Sequence, residues 1–445
     1  MRQINLVNLK KTAYYLKRNG IKSTCYEIAE RMAAKKQPTY VWEPPTPEQL
    51  EIQRHRAKEG FDLKFSVVVP AYHTPERCLR EMVDSLMGQS YPHWELILAD
   101  ATEDDTVSKV MKEFEDVRIR YVRLENNGGI SENTNKALEF VSGDYVGLLD
   151  HDDVLTRDAF YEIVIRIEEE RLAGREPQML YSDEDKCNSD GTVLYEPNRK
   201  EDFNFDLILC NNYICHFLVM KRELIQKLKF RKEFDGAQDY DLVLRAVDAL
   251  AGREETILHI PKVLYHWRCH SGSTAENPWS KGYAYDAGGR AVQSFADRRG
   301  WKAKAAEMAH PGFYRLEYAG SPLKIRDDLA AVGGRLVSKG KITGGRMKGD
   351  GQILYEGLPV NYSGYLHRAV LQQDAEALDV RNIEVRECLR GVFAEVTGIP
   401  YTVLPGTEKF NSAALPAESN PVEISLRLSK ALRERGYRLL YLPEY

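Results

Sequence analysis

Between Phe65 and Leu149 four short apolar runs rich in β-formers alternate with three stretches of helical character, and no other feature of the chain limits its fold so strongly. The runs are Phe65-Ser66-Val67-Val68-Val69, Glu95-Leu96-Ile97-Leu98-Ala99, Ile119 to Leu124, and Tyr145-Val146-Gly147-Leu148-Leu149; helices are expected near 76–88, 105–114 and 131–140. Continuous apolar strands separated by helices predict a mainly parallel sheet covered on both faces, an α/β fold. Ligands of such sheets bind outside the carboxyl ends of the strands. Here those ends read Pro70-Ala71-Tyr72, Asp100-Ala101-Thr102-Glu103-Asp104, Asn126-Asn127-Gly128-Gly129-Ile130-Ser131 and Asp150-His151-Asp152-Asp153. All four fall on one edge. An aromatic there can border a base, an Asp can take base or ribose donors, and glycines admit close backbone approach.

The last of these ends places three carboxylates within four residues, Asp150 to Asp153. Like charges so close raise one another's pKa unless a cation sits among them, and oxygen ligands suit Mg²⁺ or Mn²⁺ better than zinc. A solvated acidic turn is the plain alternative. Asp100 reads equally as a turn residue, and Asn127-Gly128-Gly129 as a helix lead-in.

With 445 residues, 43% hydrophobic and 29% charged, the chain has core material for two or three domains. A net charge of -5 argues against general nucleic-acid binding. The seven scattered cysteines lack a CxxC pair and fit reduced thiols in a cytoplasm. No apolar run reaches the ~20 residues that span a bilayer. Residues 1–36 carry nine Lys or Arg against two Glu, with Leu6, Leu9, Ala13 and Leu16 at helical spacing. Such a helix either packs on its own protein, the favoured reading, or makes a peripheral contact with an anionic membrane face. After Trp42-Glu43-Pro44-Pro45, Thr46 with Pro47 and Gln49 carries a capping-box pattern that opens a helix through Arg56. The expected divisions are an N-terminal helical segment and linker at 1–60, a central α/β domain at 61–315 and a C-terminal α/β accessory domain at 316–445.

Taken together, Val67-Val68-Val69-Pro70-Ala71-Tyr72, Leu98-Ala99-Asp100, Asn127-Gly128-Gly129-Ile130-Ser131-Glu132-Asn133-Thr134-Asn135 and Asp150-His151-Asp152-Asp153 resemble the family-2 glycosyltransferases of the GT-A fold in order and spacing. That resemblance covers about residues 65 to 300. It implies inverting transfer of a sugar from a nucleotide diphosphate donor with Mn²⁺ or Mg²⁺, onto a glycan or lipid-linked acceptor, on the cytoplasmic side of bacterial polysaccharide assembly. By the same likeness Pro70, Ala71, Tyr72 and Asp100 border the base, Asn127 and Gly128 lie on the nucleotide side, Asp150 faces the ribose and Asp152 holds the metal. Two departures bear on the donor: Ala99 and Ala101-Thr102 flank Asp100 where the family usually has paired aspartates followed by Gly and Ser, and Thr134 stands where many members have Arg.

Phe234-Asp235-Gly236-Ala237-Gln238-Asp239-Tyr240-Asp241 resembles the family's ED-type motif, with Gln238 in place of the common Glu, and makes Asp239 the expected base. Capping of a helix by Asp239 and Asp241 is the alternative. In Tyr265-His266-Trp267-Arg268-Cys269-His270 the likeness sets Arg268 beside phosphate and His270 beside metal or phosphate. Tyr181-Ser182-Asp183-Glu184-Asp185-Lys186 resembles a segment of polysaccharide-forming members, which puts Asp183 and Asp185 near the donor sugar or acceptor; an exposed acidic turn partnered by Lys186 explains it as well. Beyond residue 321 the chain resembles the acceptor half of a second transferase domain, without a DxD, and no independent catalysis is expected from it. A sugar nucleotidyltransferase is disfavoured because Pro70-Ala71-Tyr72-His73-Thr74 replaces a Gly-rich, Arg-containing loop. A catalytically silent scaffold or glycan-binding protein is the non-enzymatic alternative, prompted by Gln238.

Overall fold

The computed structural model describes residues 6–34, 40–269 and 282–445. Its contacts divide the chain into two compact units, one of Thr39–Phe203 with Asn212–Ala291, the other of Met1–Pro38, Asn204–Asn211 and Val292–Tyr445. In chain order the first elements are α1 (Leu6–Ala34), α2 (Pro47–Gly60), β1 (Phe65–Ala71), α3 (Glu76–Met87), β2 (Trp94–Asp100), α4 (Thr106–Met111), β3 (Ile119–Arg123), α5 (Ile130–Ala137) and β4 (Tyr145–Leu148). Then follow β5 (Val154–Leu155), α6 (Ala159–Leu172), β6 (Met179–Cys187), β7 (Leu194–Asn198), α7 (Phe205–Ile208), β8 (Leu218–Lys221), α8 (Arg222–Leu228), α9 (Gln238–Ala249), β9 (Ile257–Arg268) and α10 (Gly282–Arg298).

The βαβαβαβ alternation is therefore realised element by element. The central sheet runs β3-β2-β1-β4-β8-β6-β9-β5, with β7 on β6. Its first four strands are parallel, Val67 of β1 lying between Leu96 of β2 and Gly147 of β4. Beyond β4 the sheet is mixed: β8 runs antiparallel to β4 and β6, whereas β6 and β9 are parallel. Strands β1 and β2 are almost wholly buried, because Leu79, Met82, Val83 and Leu86 of α3 and Phe160, Ile163, Val164 and Ile167 of α6 join their side chains in one core. Each such residue, fully buried, contributes about 1.5–3 kcal/mol. The capping box of α2 forms as expected, Gln49 N donating to Thr46 Oγ1 (3.2 Å) and Thr46 N to Gln49 Oε1 (2.7 Å).

Gly147 is needed where β4 passes the buried Phe217. A Cβ there would lie 2.6 Å from Phe217 Cζ, and the ring is 1% exposed with no room to retreat. Gly147→Ala should lower stability by about 1–3 kcal/mol in urea denaturation; an unchanged midpoint would mean that the ring yields freely.

The other unit has its own sheet, ordered Gln373–Asp374, Arg438–Tyr441, Leu329–Gly333 and Ile383–Val385. Helices Arg390–Thr397 and Pro421–Arg433 supply Phe393, Leu428 and Leu432 to a core with Val380, Ile383 and Leu439. Its charged centre is Arg326, fully buried and held by Asp206 and Asp328. Helix α1, interrupted at Gly20, packs within this unit: Arg18 pairs with Glu307 (2.9 Å) and donates to Met308 O, while Asn19 donates to Ala309 O. Among the described residues no helix is long and apolar enough to cross a membrane.

Candidate active site

The carboxyl ends of β1 and β4, the start of α5, the segment before β8 and the start of α9 line a cleft of about 520 Å³. Pro70, Thr134, Asp150, His216, Asp235 and Asp239 all open onto it. Gly129, with φ of 93°, precedes α5 in a conformation that side chains resist. A Cβ at Gly129 would also stand 2.7 Å from Asp235 Oδ2. The glycine thus lets Asp235 reach the helix start, where it accepts from the Ser131 hydroxyl and backbone N–H.

Asp239 stands in the first turn of α9. Its Oδ2 accepts from Asn212 Nδ2 (2.8 Å) and Cys215 Sγ (3.3 Å). Asp150 lies in the same cleft with 49% of its side-chain surface still open to solvent. Surrounding protein nevertheless raises its carboxyl above the ordinary range; Asp152 and Asp239 add to the rise and His216 opposes it. His216 Nε2 is 3.9 Å from Asp150 and Nδ1 3.2 Å from Glu184, with its ring stacked on Tyr265 at 4.5 Å. Burial disfavours the imidazolium, whereas the Glu184 carboxylate beside Nδ1 favours it, and the His216 pKa is raised. The Glu184 carboxylate thus favours an imidazolium at His216, in a cleft otherwise bordered by Asp150, Asp235 and Asp239.

Other expected residues take varied positions. Ala71 is buried at the end of β1, and Tyr72 is exposed, its hydroxyl donating to Glu103. Asp100 is fully buried, and its carboxylate accepts from Tyr121 Oη (2.7 Å), Arg123 Nη1 (3.3 Å) and Thr102 N (2.9 Å). Asn127 Oδ1 takes Gly129 N and Asn133 Nδ2, while Gly128 N donates to Asn133 Oδ1. Gln238 lines the cleft and accepts from Gly236 N. Asp241, by contrast, is buried in ion pairs with Arg231 and Arg245.

The acidic loop itself is anchored from beneath. Asp153 is buried, accepting from the Tyr265 hydroxyl and from Arg268 N (2.6 Å); burial and its two acidic neighbours raise its pKa well above the usual range. Arg268, expected beside phosphate, is instead 2% exposed. Its guanidinium donates to Asp152 O (2.7 Å), Ser189 O (3.0 Å) and Glu81 (2.5 Å). These partners make Arg268 a positioning residue for the 152–153 backbone. His270 lies outside the described residues.

The second acidic cluster is strand β6 rather than an exposed turn. Asp183 binds Lys200 N and His259, Glu184 binds Lys200 and His216, and Asp185 binds Tyr40 and His266. Asn212, Cys215 and His216 carry no mark in the sequence, and Glu184 and Asp235 stand inside the quoted motifs with no role assigned to them there. Their partners are distant in sequence, and no local spacing marks them.

Residues 66–229 match the model of the family Glycosyl transferase family 2. The chain is 34% identical over 357 residues to the uncharacterized protein y4gI of Sinorhizobium fredii, covering 72% of this chain and 38% of that one. It is 33% identical to the O-antigen biosynthesis protein RfbC of Myxococcus xanthus over 57% of this chain and 19% of that one. With the amylovoran biosynthesis glycosyltransferase AmsB of Erwinia amylovora it shares 29% identity over 48% of this chain and 72% of that one. The chain thus spans less than two fifths of the length of y4gI and of RfbC. A parallel four-strand start, strand-end motifs on one cleft and the family match lead to one conclusion: residues 66–229 are a family 2 glycosyltransferase domain.

Proposed function

We propose that the protein is a metal-dependent inverting glycosyltransferase, moving a sugar from a nucleotide diphosphate donor to a glycan or lipid-linked acceptor in bacterial cell-surface polysaccharide synthesis, at the inner face of the membrane. One observation carries this: Asp150 and Asp239, 89 positions apart in the sequence, line a single cleft of sugar-nucleotide dimensions. Relatives in O-antigen and amylovoran biosynthesis support the polysaccharide setting.

The donor set fits a hard cation. Asp150 offers a carboxylate open to the cleft, Asp152 two residues on would add a second, and a cation there would offset the mutual repulsion by which Asp152 adds to the rise of the Asp150 pKa. Bound there, Mn²⁺ or Mg²⁺ would neutralise charge growing on the departing diphosphate. Asp239 takes the proton of the acceptor hydroxyl as that oxygen bonds to the anomeric carbon from the face opposite the diphosphate. The carbon–oxygen bond to the donor breaks, its electron pair leaves with the nucleoside diphosphate, and configuration inverts. Asn212 and Cys215 hold Asp239 by one oxygen during this step.

A screen of nucleotide sugars for hydrolysis or transfer tests the proposal. Turnover should appear with Mn²⁺ or Mg²⁺ and vanish on chelation. Metal-independent turnover would remove the cation from the mechanism, and nucleotide binding with no turnover on any donor would favour a scaffold.

A further inference from the structure

Glu27 of α1, His310 between the strands Ala303–Glu307 and Tyr314–Tyr318, and His367 in the short helical segment Tyr365–Val370 present ligand atoms that all lie within 4.8 Å of one another. All three belong to the unit that lacks the family motifs. We propose that they form a site for a divalent cation of the zinc class, with three protein ligands and one open position.

The hydrogen bonds around the cluster leave the required atoms facing inward. Glu27 gives Oε1 to Arg31 Nε at 2.7 Å, which leaves Oε2 toward His310 Nε2 at 3.7 Å. Ser363 Oγ donates its single proton to Glu30 (3.1 Å), so it can only accept from His367 Nδ1 (2.8 Å). That assignment puts the His367 lone pair on Nε2. A histidine whose second nitrogen is oriented through a hydroxyl and a carboxylate is the outer-shell arrangement of metal-ligating imidazoles. Glu30 is itself fixed by Gly364 N at 2.6 Å.

One backbone feature agrees, and the ring packing must change for an ion to bind. Leu366 and His367 both hold left-handed backbone, with φ of 50° and 59°, against the preference of side-chain-bearing residues. The two imidazoles stack at 3.5 Å, 17° from parallel. Since a ring nitrogen's lone pair lies in the ring plane, one ion can use both only if the rings fan apart. Near the cluster Arg18 and Arg31 are balanced by Glu27, Glu30 and Glu307. A His₂-carboxylate set suits Zn²⁺ better than the all-oxygen set around Asp150 does. The fourth position would open to a cavity of about 620 Å³ that Tyr15 and Tyr26 also line.

The test uses the full chain, stripped with chelator, equilibrated with Zn²⁺ and dialysed, with bound metal counted by mass spectrometry. One zinc per chain should remain in the native protein and in Asp152→Asn, whereas Glu27→Gln and His310→Ala should bind at least about tenfold more weakly. Retention of zinc by both of those variants, or none in the native chain, would overturn the site. Should His310→Ala misfold by circular dichroism, Co²⁺ in the native chain decides. Intense four-coordinate visible bands, displaced by Zn²⁺, support the site, and a weak six-coordinate spectrum contradicts it.

Discussion

Asp239→Asn should lower the turnover of sugar transfer by about 10²–10⁴-fold, the span of one positioned general base, while donor affinity stays within about twofold. Asparagine keeps the shape and the capacity to accept from Asn212 and Cys215 through its carbonyl oxygen, but an amide cannot take the acceptor's proton. Loss of the negative charge in the first turn of α9 costs stability only about 0.3–1 kcal/mol. A fall in kcat with an intact thermal midpoint and unchanged nucleotide binding therefore isolates chemistry from folding. Full turnover in the variant would leave Asp239 as a helix-start residue only.

Glu184→Gln should reduce stability at pH 7 by about 3 kcal/mol, the lower end for breaking a buried ion pair. Burial alone would raise the pKa of this carboxyl, yet the Lys200 ammonium and the His216 imidazole pull it down to about 2. The folded value lies below the unfolded one, so the group's contribution is complete above the unfolded pKa near about 4.3 and is lost as pH falls toward about 2. The difference between native protein and variant in urea denaturation should accordingly be largest at neutral pH and shrink across that window. A difference that is absent at pH 7, or constant down to pH 2, would contradict the pairing. Because His216 faces both Glu184 and Asp150, the same substitution should also weaken nucleotide binding.

The first half of the sheet was legible because its information is local. Strands β1, β2 and β4 are largely apolar runs closed by turn residues, β3 interleaves Arg120 and Arg123 with Ile119, Tyr121 and Val122, and pattern alone separates all four from the flanking helices. The later strands were not legible in the same way. Met179–Cys187 carries Asp183, Glu184 and Asp185, which read as a solvated turn until Lys200, His216, His259 and His266 are brought up to them by strand pairing. Register and pairing partner depend on such long-range contacts, which no short window contains. Arg268 is similar: its carboxylate partner Glu81 lies 187 positions away, so the sequence shows an arginine near a phosphate-like motif and hides the salt bridge that occupies it. At the candidate site the strand-end residues Pro70 and Asp150 were visible as motifs, whereas His216 becomes visible only where the segment before β8 reaches the cleft.

Calorimetric titration of the full chain with uridine, thymidine and guanosine diphosphates, with Mn²⁺ and with chelator, bears most directly on the shared cleft. At least one nucleotide should bind with Mn²⁺ and lose most of its affinity on chelation or in Asp152→Asn. Binding of equal strength in chelator and in that variant, or no binding of any of the three, would contradict a cation-clamped diphosphate between Asp150 and Asp239.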